Sequence, residues 1–185
     1  MHVVLLGDKS DLLDAVAQHF RQLGGITSIL EHKNIAPNDQ EIKTKLAVLE
    51  QEKGTIDGFF HMANHRDIDG MLPFLFAKHL SRYYHRSDHP SRKTFMIAIS
   101  LDGAFGLHQP ENSVPEKGAL TGLVKSLHQE WPWVYTKIVD LSPTLKPEFA
   151  AESILNEWMD ADGRWVEVGI TEQSRSTIDF TMMEE

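Results

Sequence analysis

The 185-residue chain contains no cysteine. Disulfides, thiolate nucleophiles and thiolate metal sites are therefore excluded, and a cytoplasmic chain is expected. It also lacks any block of five or more Lys or Arg. With 27 acidic and 18 basic residues its formal net charge is −9. Neither a nucleic-acid footprint nor a polybasic membrane surface is expected from that balance. Long apolar runs near the start are missing as well. The first, Val3–Gly7, spans five residues before charge begins at Asp8. That is too short for the apolar region of a signal peptide or for a membrane-spanning helix. No repeat, low-complexity tract or linker divides the sequence, and its length suits one domain.

What is present is a regular alternation. Val3–Leu6 is short and fully apolar, as a strand covered on both faces requires. Asp8 or Ser10 can cap the helix that follows. Its Leu12, Leu13, Val16, Ala17, Phe20 and Leu23 recur at helical spacing, and Gly24-Gly25 stops it. Ile26–Leu30 and Ile56–Met62 read as further strands. Between them runs an amphipathic helix from Asp39 to Gly54, with Ile42, Leu46 and Leu49 on one stripe. Helices at Met71–Tyr84, Pro115–Glu130 and Pro147–Met159 alternate with strands at Thr94–Ser100, Val134–Leu141 and Trp165–Val168. Such βα alternation predicts a doubly wound parallel sheet, a Rossmann-like three-layer α/β/α sandwich, over residues 1–170. Residues 171–185 carry neither periodicity and are expected to form a C-terminal extension or an edge strand.

In this architecture ligands bind beyond the carboxyl ends of the strands. Those ends fall at Gly7, Glu31, Ala63-Asn64, Ser100 and Asp140-Leu141. A dinucleotide site needs glycines after the first strand, so that the backbone can approach the pyrophosphate. Here the loop reads GDKSDLL: Gly7 is present, but Ser10, Leu12 and Leu13 follow it. Asp8 and Asp11 add negative charge where phosphates would lie, which repels them. Glu31 stands where an acidic residue can grip an adenosine ribose, although it also reads as a solvated strand-end residue. The candidate cofactor positions are thus Gly7, Glu31, Ala63 and Asn64, beside a loop that opposes the ligand.

Histidines are numerous, and two pairs have i,i+4 spacing: His61 with His65, and His85 with His89. On a helix that spacing can hold zinc. The first pair straddles a strand end and the second lies in a Pro-containing loop, so no metal site is expected. His61 or His65 could instead exchange protons with Asp67 or Asp69. Trp131, Trp133 and Tyr135 cluster after a helix end and read as core or as an oligomer contact.

Several segments carry a resemblance. They are IDGFFHMA (Ile56–Ala63), LDGAFGL (Leu101–Leu107), KGALTGLVKSLHQEWP (Lys117–Pro132), VDL (Val139–Leu141) and WVEVGI (Trp165–Ile170). Together they resemble the short-chain dehydrogenase/reductase superfamily, and within it the ketoreductase region of polyketide and polyunsaturated fatty acid synthases. That region has two Rossmann-like halves, one catalytic and one purely structural. The resemblance places Ser100 and Lys117 where the family carries its catalytic Ser and Lys. Ser113 stands where it carries Tyr, four residues before the Lys. Carbonyl reduction by hydride needs a proton for the developing alkoxide. A Ser hydroxyl is a far weaker acid than a phenol beside a Lys, and it is shorter by a ring. Apart from the resemblance, Ser113 is a helix cap before Pro115, Ser100 a strand-end turn residue and Lys117 a solvated side chain.

The expectation is a degenerate reductase-like module that is non-catalytic, binds no cofactor and acts as a structural or interaction partner. Two alternatives stay open. One is an active ketoreductase-type oxidoreductase using NAD or NADP around Ser100, Lys117 and His61. The other is a nucleotide-binding sensor without chemistry. The resemblance further implies a homo-oligomer or a catalytic reductase partner, docked on the last two helices with Thr121, Val124, Lys125 and Trp158 buried between chains.

Overall fold

A computed structural model describes residues 1–63, 70–86, 92–108 and 115–179. Asn64, His65, Asp67, Asp69, His89 and Ser113 lie outside these residues. The strands are β1 (His2–Gly7), β2 (Ile26–Leu30), β3 (Gly58–Met62), β4 (Lys93–Ile99), β5 (Val134–Leu141), β6 (Glu167–Ile170) and β7 (Arg175–Ser176). The helices are α1 (Asp11–Gln22), α2 (Asp39–Lys53), α3 (Met71–Arg86), α4 (Pro115–Glu130) and α5 (Pro147–Met159). One sheet runs in the order β2-β1-β3-β4-β5-β6-β7. Its first six strands are parallel, and β7 is antiparallel to β6. This is the expected α/β Rossmann-like sandwich.

Every residue of β1, β3, β4 and β5 is buried. That is why their apolar runs show no alternation: helices cover both faces. α2, α3 and α4 pack on one face, where the Phe59 ring stacks between Phe76 and Phe95 at 4.8 and 4.9 Å. α1 and α5 cover the other, where Phe20 meets Phe60 at 4.8 Å and Trp158 at 5.1 Å. β2 is the edge, with Ile26 and Ile29 exposed. Two cations flank it: Arg21 Nε donates to Thr27 Oγ1 (2.8 Å) and Lys53 Nζ to the Thr27 carbonyl (3.4 Å). Charged side chains on an edge discourage further strand pairing. Among the described residues no helix is long and apolar enough to cross a membrane.

One expectation is corrected. The sixth strand is Glu167–Ile170, two residues later than Trp165–Val168. Its register against β5 pairs Ile138 with Glu167 and Leu141 with Ile170, while Trp165 packs against the α1/α5 core. The residues expected between chains each have contacts within this one, and Lys125 stays exposed. Val124 is fully buried, and Trp158 Nε1 donates to Thr94 Oγ1 (3.2 Å). Lys125 pairs with Glu167 (3.0 Å) and Thr121 Oγ1 donates to the Lys117 carbonyl (3.4 Å).

The tail is tied down by an ionic cluster. Lys137, with no exposed surface, contacts Glu157 at 2.7 Å and Asp160 at 3.5 Å. Arg175 of β7 reaches the same two carboxylates at 2.5 and 3.1 Å, and Thr177 Oγ1 donates to the Glu167 carbonyl (2.7 Å). Burial alone would raise the Glu157 pKa, but Arg175 and Lys137 outweigh it and hold the carboxyl below its usual range. Removing one member of a buried pair leaves the other charge stranded. Glu157→Ala should therefore cost about 3–5 kcal/mol. Arg175→Ala, at a half-exposed site, should cost about 1 kcal/mol or less. Urea unfolding of the two variants checks the order, and equal losses would contradict it.

Candidate functional site

The carboxyl ends of the strands converge where this architecture places its ligands. At the first, Gly7 serves packing. A Cβ there would lie 3.1 Å from the Met62 Cβ and 3.3 Å from the Met62 carbonyl oxygen, with Leu13 at 3.5 Å. The glycine admits a neighbouring strand and helix. The α1 amino terminus is closed by its own cap, since Ser10 Oγ accepts from the Leu13 amide at 3.2 Å. Glu31 follows β2 and is ion-paired to Lys33 at 2.7 Å.

The next residue, His32, bridges the sheet ends. Its Nδ1 lies 3.3 Å from Asp8 Oδ1 and its Nε2 lies 3.0 Å from His61 Nε2. His61 belongs to β3 and is 1% exposed. Its pKa is pushed down to about 3, first by burial and then by His32. Its Nδ1 is buried and has no hydrogen-bond partner among the described residues. An Asp8–His32–His61 chain therefore crosses the region beyond β2, β1 and β3. Ala63 is buried, and its amide donates to the Ala98 carbonyl at 2.8 Å.

The loop after β4 is built around two carboxylates. Asp140, completely buried in β5, accepts from the Leu101 and Phe105 amides, each at 2.7 Å. Burial raises its pKa, against the pull of those two amides. Asp102 accepts from the amides of Ala104 (2.8 Å), Gly106 (2.8 Å) and His108 (2.9 Å). The turns needed for this place Phe105 at φ 58°, a conformation that non-glycine residues adopt rarely. Gly103 and Gly169 let the loop touch β6: a Cβ on Gly169 would sit 2.1 Å from the Gly103 carbonyl oxygen.

Lys117 corrects the reading of a solvated side chain. It is 3% exposed, and its Nζ donates to the Ser100 carbonyl. Burial lowers its pKa, while Asp140 acts in the opposite sense. So Ser100 and Lys117 do meet, but through a main-chain oxygen that holds the loop. The chain has three tyrosines, Tyr83, Tyr84 and Tyr135. Tyr84 and Tyr135 donate to the carbonyls of Thr94 (2.8 Å) and Glu157 (2.6 Å), near the amino ends of β4 and β5. Tyr83 lies in the last turn of α3, next to Tyr84. No phenol stands beside Ser100 and Lys117. Among the described residues no group of three or more His, Asp or Glu is arranged to hold a metal ion.

Sequence reasoning missed the Asp8–His32 contact and both loop carboxylates. Signals existed for the second: Asp140 is the one charged residue within the apolar Ile138–Leu141 segment, and Asp102-Gly103 is a turn dipeptide.

The fold is similar to that of solved short-chain dehydrogenases/reductases. A short chain dehydrogenase from Mycobacterium avium superposes with a TM-score of 0.69 at 10% identity, over 98% of this chain and 87% of its own. A C2-type ketoreductase from a modular polyketide synthase gives 0.65 at 12% identity, over 98% of this chain but 42% of its own. These likenesses establish the fold. In sequence, 100 residues, or 50% of this chain, are 34% identical to a polyunsaturated fatty acid synthase polypeptide of Thraustochytrium sp.. They span 4% of that polypeptide's length. No family model matches the sequence.

The His61 environment has a pH consequence. Its folded pKa of about 3 lies below the ordinary 6.5, so below 6.5 the unfolded chain binds the extra proton. Stability should fall as pH drops from there towards 3, by up to about 1.4 kcal/mol per unit from this group. His61→Leu removes the orphaned nitrogen and should flatten that slope. Melting temperatures of both proteins between pH 7 and pH 4 check this, and parallel curves would contradict it.

Proposed function

We propose that this chain is a short-chain-reductase-like module that performs no chemistry of its own. It serves as a structural or docking partner, for a catalytic reductase half or for a second copy of itself. One observation carries the reading: groups that could hold a dinucleotide or a developing alkoxide are bonded within the chain. Ser10 takes the Leu13 amide of α1, Asp102 and Asp140 take five loop amides, and Lys117 donates to the Ser100 carbonyl. An amide already bonded to an internal carboxylate cannot stabilise an oxyanion without first losing that partner. The lack of a nearby phenol adds to this, because hydride transfer to a ketone needs a matched proton donor.

The size relations favour a partner. The polyketide ketoreductase extends over more than twice the part that this chain matches. The fatty acid synthase polypeptide is longer still. A module of this kind inside a lipid or polyketide assembly fits both comparisons, and a cysteine-free chain suits the reducing cytoplasm.

A second reading, an active NAD(P)-dependent oxidoreductase, draws on the meeting of Ser100 and Lys117 and on the lowered Lys117 pKa. The two readings, and that of a nucleotide sensor, separate on binding. A ligand at a hundred times its dissociation constant stabilises the native state by about 2.7 kcal/mol. For a domain of this size that raises the melting temperature by about 5–10 °C. The module reading predicts no shift with NAD, NADP, NADH or NADPH. A shift of that size without turnover would favour the sensor. Ketone-dependent oxidation of NADPH that is lost in Lys117→Ala would establish the enzyme.

A further inference from the structure

At the amino ends of β4 and β5, opposite the carboxyl-end loops, a cavity of about 270 Å³ opens beside Arg92, His128, Trp133 and Tyr135. Its composition is unusual for a chain with a net charge of −9: Arg92 and His128 line it, and among the described residues no carboxylate does. Arg92 is held in place twice. Its guanidinium stacks 3.4 Å from the Tyr135 ring centroid, and Nη2 donates to the Asp160 carbonyl at 3.0 Å. Tyr135 is itself fixed by its hydrogen bond to the Glu157 carbonyl. Arg92 makes no ion pair among the described residues. The carboxylate of Asp160 turns instead to Lys137 and Arg175. Most of the guanidinium donors are thus left for a ligand.

His128 spends Nδ1 on Thr136 Oγ1 (3.1 Å), which leaves Nε2 available. Trp133 is 48% exposed and is braced by the His85 ring at 4.4 Å. The Val134 amide, bonded to the Trp131 carbonyl at 2.9 Å, fixes the turn that presents it. A half-exposed indole beside a pre-positioned guanidinium, without an ion pair among the described residues, offers an aromatic face and a charge-assisted donor at one cavity.

We infer that this cavity binds a small planar anion. The ring lies against Trp133, and its carboxylate or phosphate is met by Arg92 and His128. The site is separate from the strand carboxyl ends and does not depend on the module reading. The test uses benzoate and phenyl phosphate, with benzyl alcohol as the uncharged control. The readout is the Trp133 indole N–H signal in a ¹H–¹⁵N spectrum of the whole chain. Both anions should shift that signal saturably. Benzyl alcohol should bind about tenfold more weakly or worse, and Arg92→Gln should lower anion affinity by about tenfold. Arg92→Lys should recover only part, because an ammonium keeps the charge and loses the planar fork. Tighter binding of phenyl phosphate would assign the ligand as a phosphate, and tighter binding of benzoate as a carboxylate. No saturable shift at millimolar anion, or equal binding of benzyl alcohol, would overturn the inference. Those two results decide it even if the Arg92 variants fail to fold.

Discussion

Asp140 places a carboxylate in the interior of the sheet and spends it on the Leu101 and Phe105 amides. The carboxyl-end architecture depends on that contact. Burying a carboxylate is costly unless charge-assisted hydrogen bonds replace its water. Two amides at 2.7 Å do so. In return they draw the loop after β4 inward. Phe105 takes a left-handed conformation, Gly103 closes against Gly169, and Ser100 presents its carbonyl to Lys117. Asp102 then gathers the remaining turn amides. This loop at the strand carboxyl ends is thus bonded to its own acids.

The same economy recurs along the sheet ends. Ser10 caps α1, and Gly7 makes room for Met62. His32 lies between Asp8 and His61, across the space beyond β1 and β3. Each contact is ordinary alone. Together they leave many polar groups at the sheet ends bonded within the chain. The buried Lys137–Glu157 pair, with Arg175 drawn onto it, does the corresponding work at the other end by fastening the tail to the sheet edge.

Much of the fold is legible in the sequence because its signals are local. Unbroken apolar runs mark strands covered on both faces, and helical stripes such as Leu13, Val16 and Phe20 mark the layers. β6 reads two residues early because its register is set by pairing with β5, which no local pattern encodes. The site is less legible for the same reason. Lys117 reads as solvated in a helix's first turn until the Ser100 loop folds over it. His32 reaches Asp8 and His61 across 24 and 29 residues of sequence. Val124 and Trp158 look available to a partner only while their own core is unseen.

The central claim is that the loop amides are occupied by Asp102 and Asp140 and so are closed to a nucleotide or substrate. Amide-resolved ¹H–¹⁵N spectra with and without NADPH test it most directly. The account predicts that Leu101, Ala104, Phe105, Gly106 and His108 keep slow hydrogen exchange and unchanged shifts. Saturable shifts of these five signals, with NADPH bound at their expense, would contradict it.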